Sequence, residues 1–206
     1  MNMNTRQKIQ DKALEMFNER GIEYVGLREL ASILDMRVSN ITYYFPTKDD
    51  LVYELSLELG KANSEVIAER QNLTMTSFLE LFHRVFQNHV KYRCLLLSVV
   101  HLMKQNKHMA ETYKQTQKER NAAITSNLQV LVQEGYLNMS TEKEMELLVF
   151  SISLISRFWI SEAAISYYDL TTEEQIRRYL TLITKLLMPY ATEISKKDIH
   201  HFLEKL

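Results

Sequence analysis

The sequence predicts an all-α chain, in which a small N-terminal three-helix unit is followed by a larger helical domain. Two observations are compositional and one is a matter of spacing. Four Gly and two Pro in 206 residues are too few for the tight turns of a hairpin-rich sheet, whereas long helices need few such residues. Apolar residues make up 46% of the chain, enough for a substantial buried core. Thr47, Ser77, Thr141, Thr172 and Ser195 each stand three residues before an acid or Gln, the reciprocal pattern that satisfies exposed N–H groups at a helix start.

The elements follow in order. Ile9, Ala13, Leu14 and Phe17 share one face of a first helix over 6–20, which Gly21 stops in a left-handed conformation, and Gly26 closes the next turn. Short helices are expected over 28–34 and 38–45, joined through Asp35, Met36 and Arg37, and Pro46 ends the second. A long helix from Thr47 to about Arg70 leaves this unit. Helices over 77–92, 94–104 and 107–133 come next, and Gly135 breaks the chain. A last long pair spans 141–168 and 172–187, with a short terminal helix from Ser195 after Pro189. No internal repeat or low-complexity segment interrupts this pattern.

Composition also limits function. Cys94 is the one cysteine, so an internal disulfide or paired-Cys metal site is not expected and the cytoplasm is the expected compartment. Twenty-five basic against 26 acidic side chains give a formal charge of -1, so any nucleic-acid site must be local. The most apolar stretch, Leu147 to Ile165, is interrupted by Arg157, Glu162 and several Ser, and neither export nor a membrane span is expected. Glu80-Leu-Phe-His83 matches one half of a di-iron motif without its second copy. Gly-rich phosphate loops and Gly-x-Ser-x-Gly elbows are absent from the sequence. No catalytic site, metal or cofactor is therefore expected. A helical enzyme would need an unrecognised site built from His83, His89 and His101 with nearby acids.

Three short helices leading into a long one are the skeleton of a helix-turn-helix unit, whose second motif helix enters the DNA major groove. Ala31 and Leu34 can pack on Val38, Ile41 and Phe45, which leaves Ser39, Asn40, Tyr43 and Tyr44 on outer faces. Asn and Ser can bond base edges or phosphates and Tyr hydroxyls can reach phosphates, while Arg37 and Lys48 flank the helix with no acid between them. The acids Glu15, Glu19 and Glu23 sit away from that helix. The same residues would also suit a three-helix core with a solvated side, or a protein-binding adaptor with a degenerate helix-turn-helix.

The run from Gly26 to Leu51, GLRELASILDMRVSNITYYFPTKDDL, resembles the DNA-binding segment of the tetracycline-repressor (TetR) family of bacterial regulators. Its most specific part is Ile41-Thr-Tyr-Tyr-Phe-Pro-Thr-Lys48. The family pattern is Leu-Tyr-x-His/Tyr-Phe, a short turn and a phosphate-contacting Lys; Lys48 matches that Lys, Tyr44 the His/Tyr and Phe45 the core aromatic. Thr42 stands where the family usually has a phosphate-binding Tyr, a role that passes to Tyr43. Leu27 replaces a capping Thr, and Asp35-Met36 a common Gly-Val turn, where Asp35 tolerates a left-handed conformation. The resemblance implies a DNA-binding domain over 1–47, with Arg28, Arg37, Ser39, Asn40, Thr42, Tyr43, Tyr44 and Lys48 facing DNA, and a ligand-binding and dimerisation domain over 48–206. It implies a repressor whose partners are a double-stranded operator, a second copy of the chain and a small-molecule effector of unknown identity.

In the C-terminal part, the stretch 145–167 is apolar nearly all round. One stripe holds Met145, Leu148, Val149, Ile152, Trp159, Ile160, Ala163 and Tyr167, and another Leu147, Phe150, Leu154, Phe158 and Ile165. A helix of this kind is buried on both sides. One face can pack into its own domain and the other against a partner, and the family resemblance implies a four-helix dimer interface formed by Ile152, Ser156, Trp159, Ile160 and Ala163 with Tyr179, Ile183 and Leu187 of the next helix, in which small residues allow close approach; a core helix of a monomer is the alternative. Phe82 and Phe86 on one helix, with His101, Met103, Tyr113, Phe158 and Arg157, are the expected effector contacts, although a close-packed core explains the same aromatic spacing. Arg157 is the single charge between Glu146 and Glu162, and a buried charge needs a partner. An anionic ligand is one candidate; an acid of its own subunit or across the dimer is the simpler one.

Overall fold

Local capping chemistry sets the helix starts. In the computed structural model, which describes residues 4–68 and 73–206, eleven α-helices and two 3-10 turns are found and no β-strand occurs among the described residues. Helix α1 (Thr5–Arg20) is capped by Asn4, whose side chain accepts from the Arg6 N–H at 3.2 Å. It ends at Gly21, whose φ of 91° lies on the side of the map open to glycine, though with an extended ψ of 146° in place of a left-handed helical turn. The short helices α2 (Leu27–Ile33) and α3 (Val38–Tyr44) are joined through Asp35, which takes a positive φ of 51° as expected. Helix α4 (Lys48–Ala68) begins where Thr47 and Asp50 bond each other reciprocally at 2.9 and 3.1 Å. Its expected end at Arg70 lies outside the described residues.

Three of the expected starts slip toward the N-terminus. Helix α5 (Met75–Lys91) is capped by Thr74 paired with Ser77. Helix α10 (Thr172–Leu187) is capped by Thr171 paired with Glu174, and α11 (Glu193–Lys205) by Thr192, whose hydroxyl accepts from the Ser195 N–H. In each case a Thr upstream competes with the expected residue. At Thr171 the carboxylate partner, a stronger acceptor than an amide, wins. The stretch expected as one helix over 94–104 is two, α6 (Arg93–Leu97) and α7 (Val99–Gln105), divided at Ser98. Helix α8 (Lys107–Gln133) matches expectation, and α9 (Glu142–Ser166) starts from the Thr141–Glu144 capping box.

The chain forms two compact units. The first comprises residues 1–62 and 91–112, the second 63–90 and 113–206. In the first, Ile9, Phe17, Leu30, Ile41, Phe45, Leu51 and Leu55 make a continuous core that includes Tyr92, Cys94 and Leu95. Cys94 is buried, and burial pushes its thiol up to about 12, so it behaves as a small apolar residue. Asn18 ties α1 to the α5–α6 junction, donating to the Lys91 carbonyl at 2.8 Å and accepting from the Cys94 N–H at 3.0 Å. In the second unit, α9 lays Leu148, Ile152, Ser156, Trp159 and Ala163 inward, beside Ile176, Tyr179, Leu180, Ile183 and Leu187 of α10.

Candidate functional site

The outward face of α3 is built by subtraction. Ile41 is fully buried and Phe45 is at 1% exposure, so the intervening helix turns its remaining side chains to solvent. Ser39, Asn40, Arg28 and Arg37 are exposed, and Tyr43 stands 81% exposed with its ring edge-on to Tyr44 at 5.0 Å. Helix α3 contains no acid. Three basic side chains elsewhere in the unit are paired with acids: Arg6 with Glu54, Lys12 with Glu15 and Arg20 with Glu29. The hydrogen bond from Arg20 holds the Glu29 carboxyl below its ordinary range. Arg28 and Arg37 enter no ion pair among the described residues, so the local field at α3 is more positive than the unit's composition suggests.

Two expected contacts have other engagements. Thr42 is half-buried and donates its hydroxyl to the Ser39 carbonyl at 3.4 Å, so Tyr43, one residue on, is the exposed aromatic. Lys48 is half-buried and donates to the Ile22 carbonyl at 2.9 Å and toward that of Glu23 at 3.5 Å. Its ammonium therefore holds the 3-10 turn Ile22–Tyr24 onto the start of α4. Three donors leave one free for a phosphate. This carbonyl contact had no local signal, because it joins residues far apart in the chain.

The expected effector residues divide between units. Phe82, Phe86, Tyr113, Arg157 and Phe158 lie in the second, whereas His101, exposed on α7, and Met103 lie in the first. Phe86 is fully buried and stacks on Trp159 at 4.8 Å, so it fills core. Sequence reasoning missed the polar centre of that core. Trp159 Nε1–H donates to His89 Nδ1 at 3.1 Å, and His89 Nε2 lies 3.5 Å from the Asn63 amide nitrogen. Burial, then the charge of Arg120, pushes the His89 imidazole down to about 3. The signal was available: His89 follows Phe82 and Phe86 at helical spacing on one buried face. Among the described residues no group of three or more His, Cys, Asp or Glu could hold a metal.

The expected dimer residues face inward. Ile152, Ser156, Trp159, Ile160, Ala163, Tyr179, Ile183 and Leu187 are all buried inside the second unit, and a side chain already removed from solvent has no area to give a partner. On the same two helices the exposed apolar residues are Leu147, Phe150, Leu154, Ile165 and Leu182. Leu154, Phe158 and Leu182 line an open groove of about 820 Å³ between α9 and α10, rimmed by Glu162, Glu174, Arg177, Arg178 and Lys185. By length and composition α9 is apolar enough to cross a membrane, but its inner stripe packs within the unit.

Comparison with known proteins agrees with this architecture. Residues 9–55 match the model of bacterial regulatory proteins of the tetR family, and residues 62–199 a TetR model described as a bacterial transcriptional repressor. The probable HTH-type transcriptional regulator YttP of Bacillus subtilis (strain 168) is 33% identical over 67 residues, 32% of this chain and 32% of that protein. The match thus spans about a third of that curated relative. A TetR-family transcriptional regulator from Marinobacter aquaeolei VT8 shares the fold with a TM-score of 0.90 at 21% identity, over 98% of both chains. SmeT in complex with triclosan shares it with a TM-score of 0.65 at 11% identity, over 92% of both.

Proposed function

The chain belongs to the tetR family of bacterial regulatory proteins, and from that premise we propose that it is a ligand-responsive transcriptional regulator. It acts as a cytoplasmic repressor that binds a palindromic duplex operator as a homodimer and is released by a small molecule, with no catalysis or cofactor of its own. The observation that carries this reading is the outward face of α3, where Ser39, Asn40 and Tyr43 stand exposed with Arg28 and Arg37, which enter no ion pair among the described residues, and with no acid in the helix. Residues 1–47 bind DNA, and residues 48–206 sense the effector and dimerise. The second copy lies on the Leu147–Phe150–Leu154 stripe, because that is the apolar area the protomer leaves uncovered. That a relative of the same fold is a complex with triclosan supports a small-molecule effector.

Two recognition helices reach successive major grooves when they lie roughly 34–36 Å apart. Helix α4 carries the chain from the first unit into the second without a break, which supports it as the element through which effector binding changes that separation. A coupling of about 1–3 kcal/mol would weaken operator affinity roughly 5- to 150-fold.

Fluorescence anisotropy with duplexes tiled across the DNA flanking the gene, at several salt concentrations, tests the proposal. Saturable, sequence-selective binding by two subunits, falling steeply with salt, supports it. Asn40→Ala then shifts preference among operator variants; equal weakening on all of them would make Asn40 a backbone contact. No binding at low salt would overturn the regulator reading in favour of an adaptor.

A further inference from the structure

We propose that Arg120 and Arg157, set around the ring of Tyr113 in the second unit, form an anion-binding site that takes the acidic group of a small, otherwise apolar molecule. This deepens the reading of that unit as the effector-binding one by naming the chemistry of the effector. The two guanidinium carbons lie 5.9 and 5.7 Å from the centre of the Tyr113 ring, and that of Arg157 is also 5.7 Å from the Phe158 ring. Buried Nε and Nη2 of Arg120 and Nε of Arg157 have no hydrogen-bond partner among the described residues. Neither arginine enters an ion pair among the described residues.

The helices themselves cannot supply the missing acid. One turn away, Arg120 has Thr116, Gln117, Ala123 and Ile124, and Arg157 has Ser153, Leu154, Ile160 and Ser161. Glu119, next in sequence to Arg120, accepts from Gln115 at 2.8 Å. An acid from a second copy fits poorly, since Arg157 turns to Tyr113 of α8 while its neighbours Leu154 and Phe158 line the groove between α9 and α10. His89, which feels the charge of Arg120, is a neutral ring and no counter-ion. Both arginines are half-buried, and guanidinium nitrogens shut away from solvent without a partner are costly, a cost that an anionic ligand would offset. A guanidinium fork matches a carboxylate or phosphate in two parallel bonds, and the Tyr113 and Phe158 rings suit an apolar body.

Trp159 is the sole tryptophan and is bonded to His89, so its emission reports this region directly. Titration with octanoate and 4-phenylbutanoate, each against its alcohol and amine counterpart at constant ionic strength, tests the site. The carboxylates should bind saturably and about tenfold or more tighter than the alcohols, with the amines weakest. Arg120→Met and Arg157→Met should each lose about tenfold in carboxylate affinity while alcohol affinity stays within about twofold, and Arg157→Lys should keep part of the preference. The thermal midpoints of the ligand-free Met variants should equal or exceed that of the unsubstituted protein, because an unpaired cation has been removed. Equal affinity for carboxylate and alcohol, no saturable carboxylate binding, or an Arg157→Met variant of lower midpoint or dissociated mass would overturn the proposal. Operator anisotropy without ligand is independent of this titration, so loss of one reading is distinguishable from loss of the other.

Discussion

Replacing Phe150 with Glu separates the two stripes of α9 by experiment. Phe150 is 64% exposed in the protomer, whereas Ile152, two residues on, is fully buried. Complete burial of a large apolar side chain contributes about 1.5–3 kcal/mol, so covering the exposed part of Phe150 contributes about 1–2 kcal/mol. A two-fold interface uses the residue twice, which makes the loss about 2–4 kcal/mol per dimer, or roughly 30- to 1000-fold in the dimer dissociation constant. The introduced charges only add to it. Sedimentation equilibrium over a wide concentration range reads that constant. Ile152→Ala is the control: it opens a cavity and costs about 2–5 kcal/mol of protomer stability, with little change in dimer affinity. A Phe150→Glu protein that dimerises as tightly as the parent, beside an Ile152→Ala protein of weakened dimer, would refute the assignment of the outer stripe and restore the inner one.

Lys48→Ala should weaken binding to all duplexes and reduce the salt slope by about one phosphate contact, and it should also lower the thermal midpoint because the Ile22 carbonyl loses its donor. An unchanged midpoint would deny the structural part of that role. Asn18→Ala should cost about 1–3 kcal/mol in urea unfolding, since the Lys91 carbonyl and the Cys94 N–H both lose their partner; a loss under about 0.5 kcal/mol would mean that water replaces both bonds. For His89 the native pKa of about 3 lies below the ordinary 6.5, so the unfolded chain takes up a proton that the native state refuses. Stability is full above pH 6.5 and falls toward pH 3, at about 1.4 kcal/mol per pH unit. His89→Gln, whose amide oxygen still accepts from Trp159, should flatten that slope between about pH 6.5 and 4.5, and an equally steep slope would exclude His89 as its source.

The helical layout was legible because capping and helix breaking are local. The Thr47–Asp50 and Thr141–Glu144 caps and the left-handed turn at Asp35 each depend on residues within three positions. Where two hydroxyl residues offered themselves, as at Thr171 and Thr172, spacing alone did not choose, and the carboxylate three residues on did. The break at Ser98 was not legible, since 94–104 carries neither Gly nor Pro.

The outer face of α3 was legible for a related reason. A seven-residue helix with Ile41 buried, followed at once by buried Phe45, has one side to hide, and the polar residues take the other. Helix α9 gave no such contrast. With apolar residues on both stripes, periodicity cannot say which one faces inward, because that is decided by α5, α8 and α10. Two residues did hold the answer. The indole N–H of Trp159 needs an acceptor when buried, and His89 on a separate buried stripe supplies one, which fixes that stripe inward. Small Ser153 and Ser156 then serve close packing within the protomer, where Ser153 donates to Asn121 at 2.7 Å, and are unavailable to a partner. The position of Arg157 follows from the same rotation. One place past Ser156 on the helix and one turn beyond Ser153, it faces α8 as Ser153 does, and the group it meets there is the uncharged ring of Tyr113.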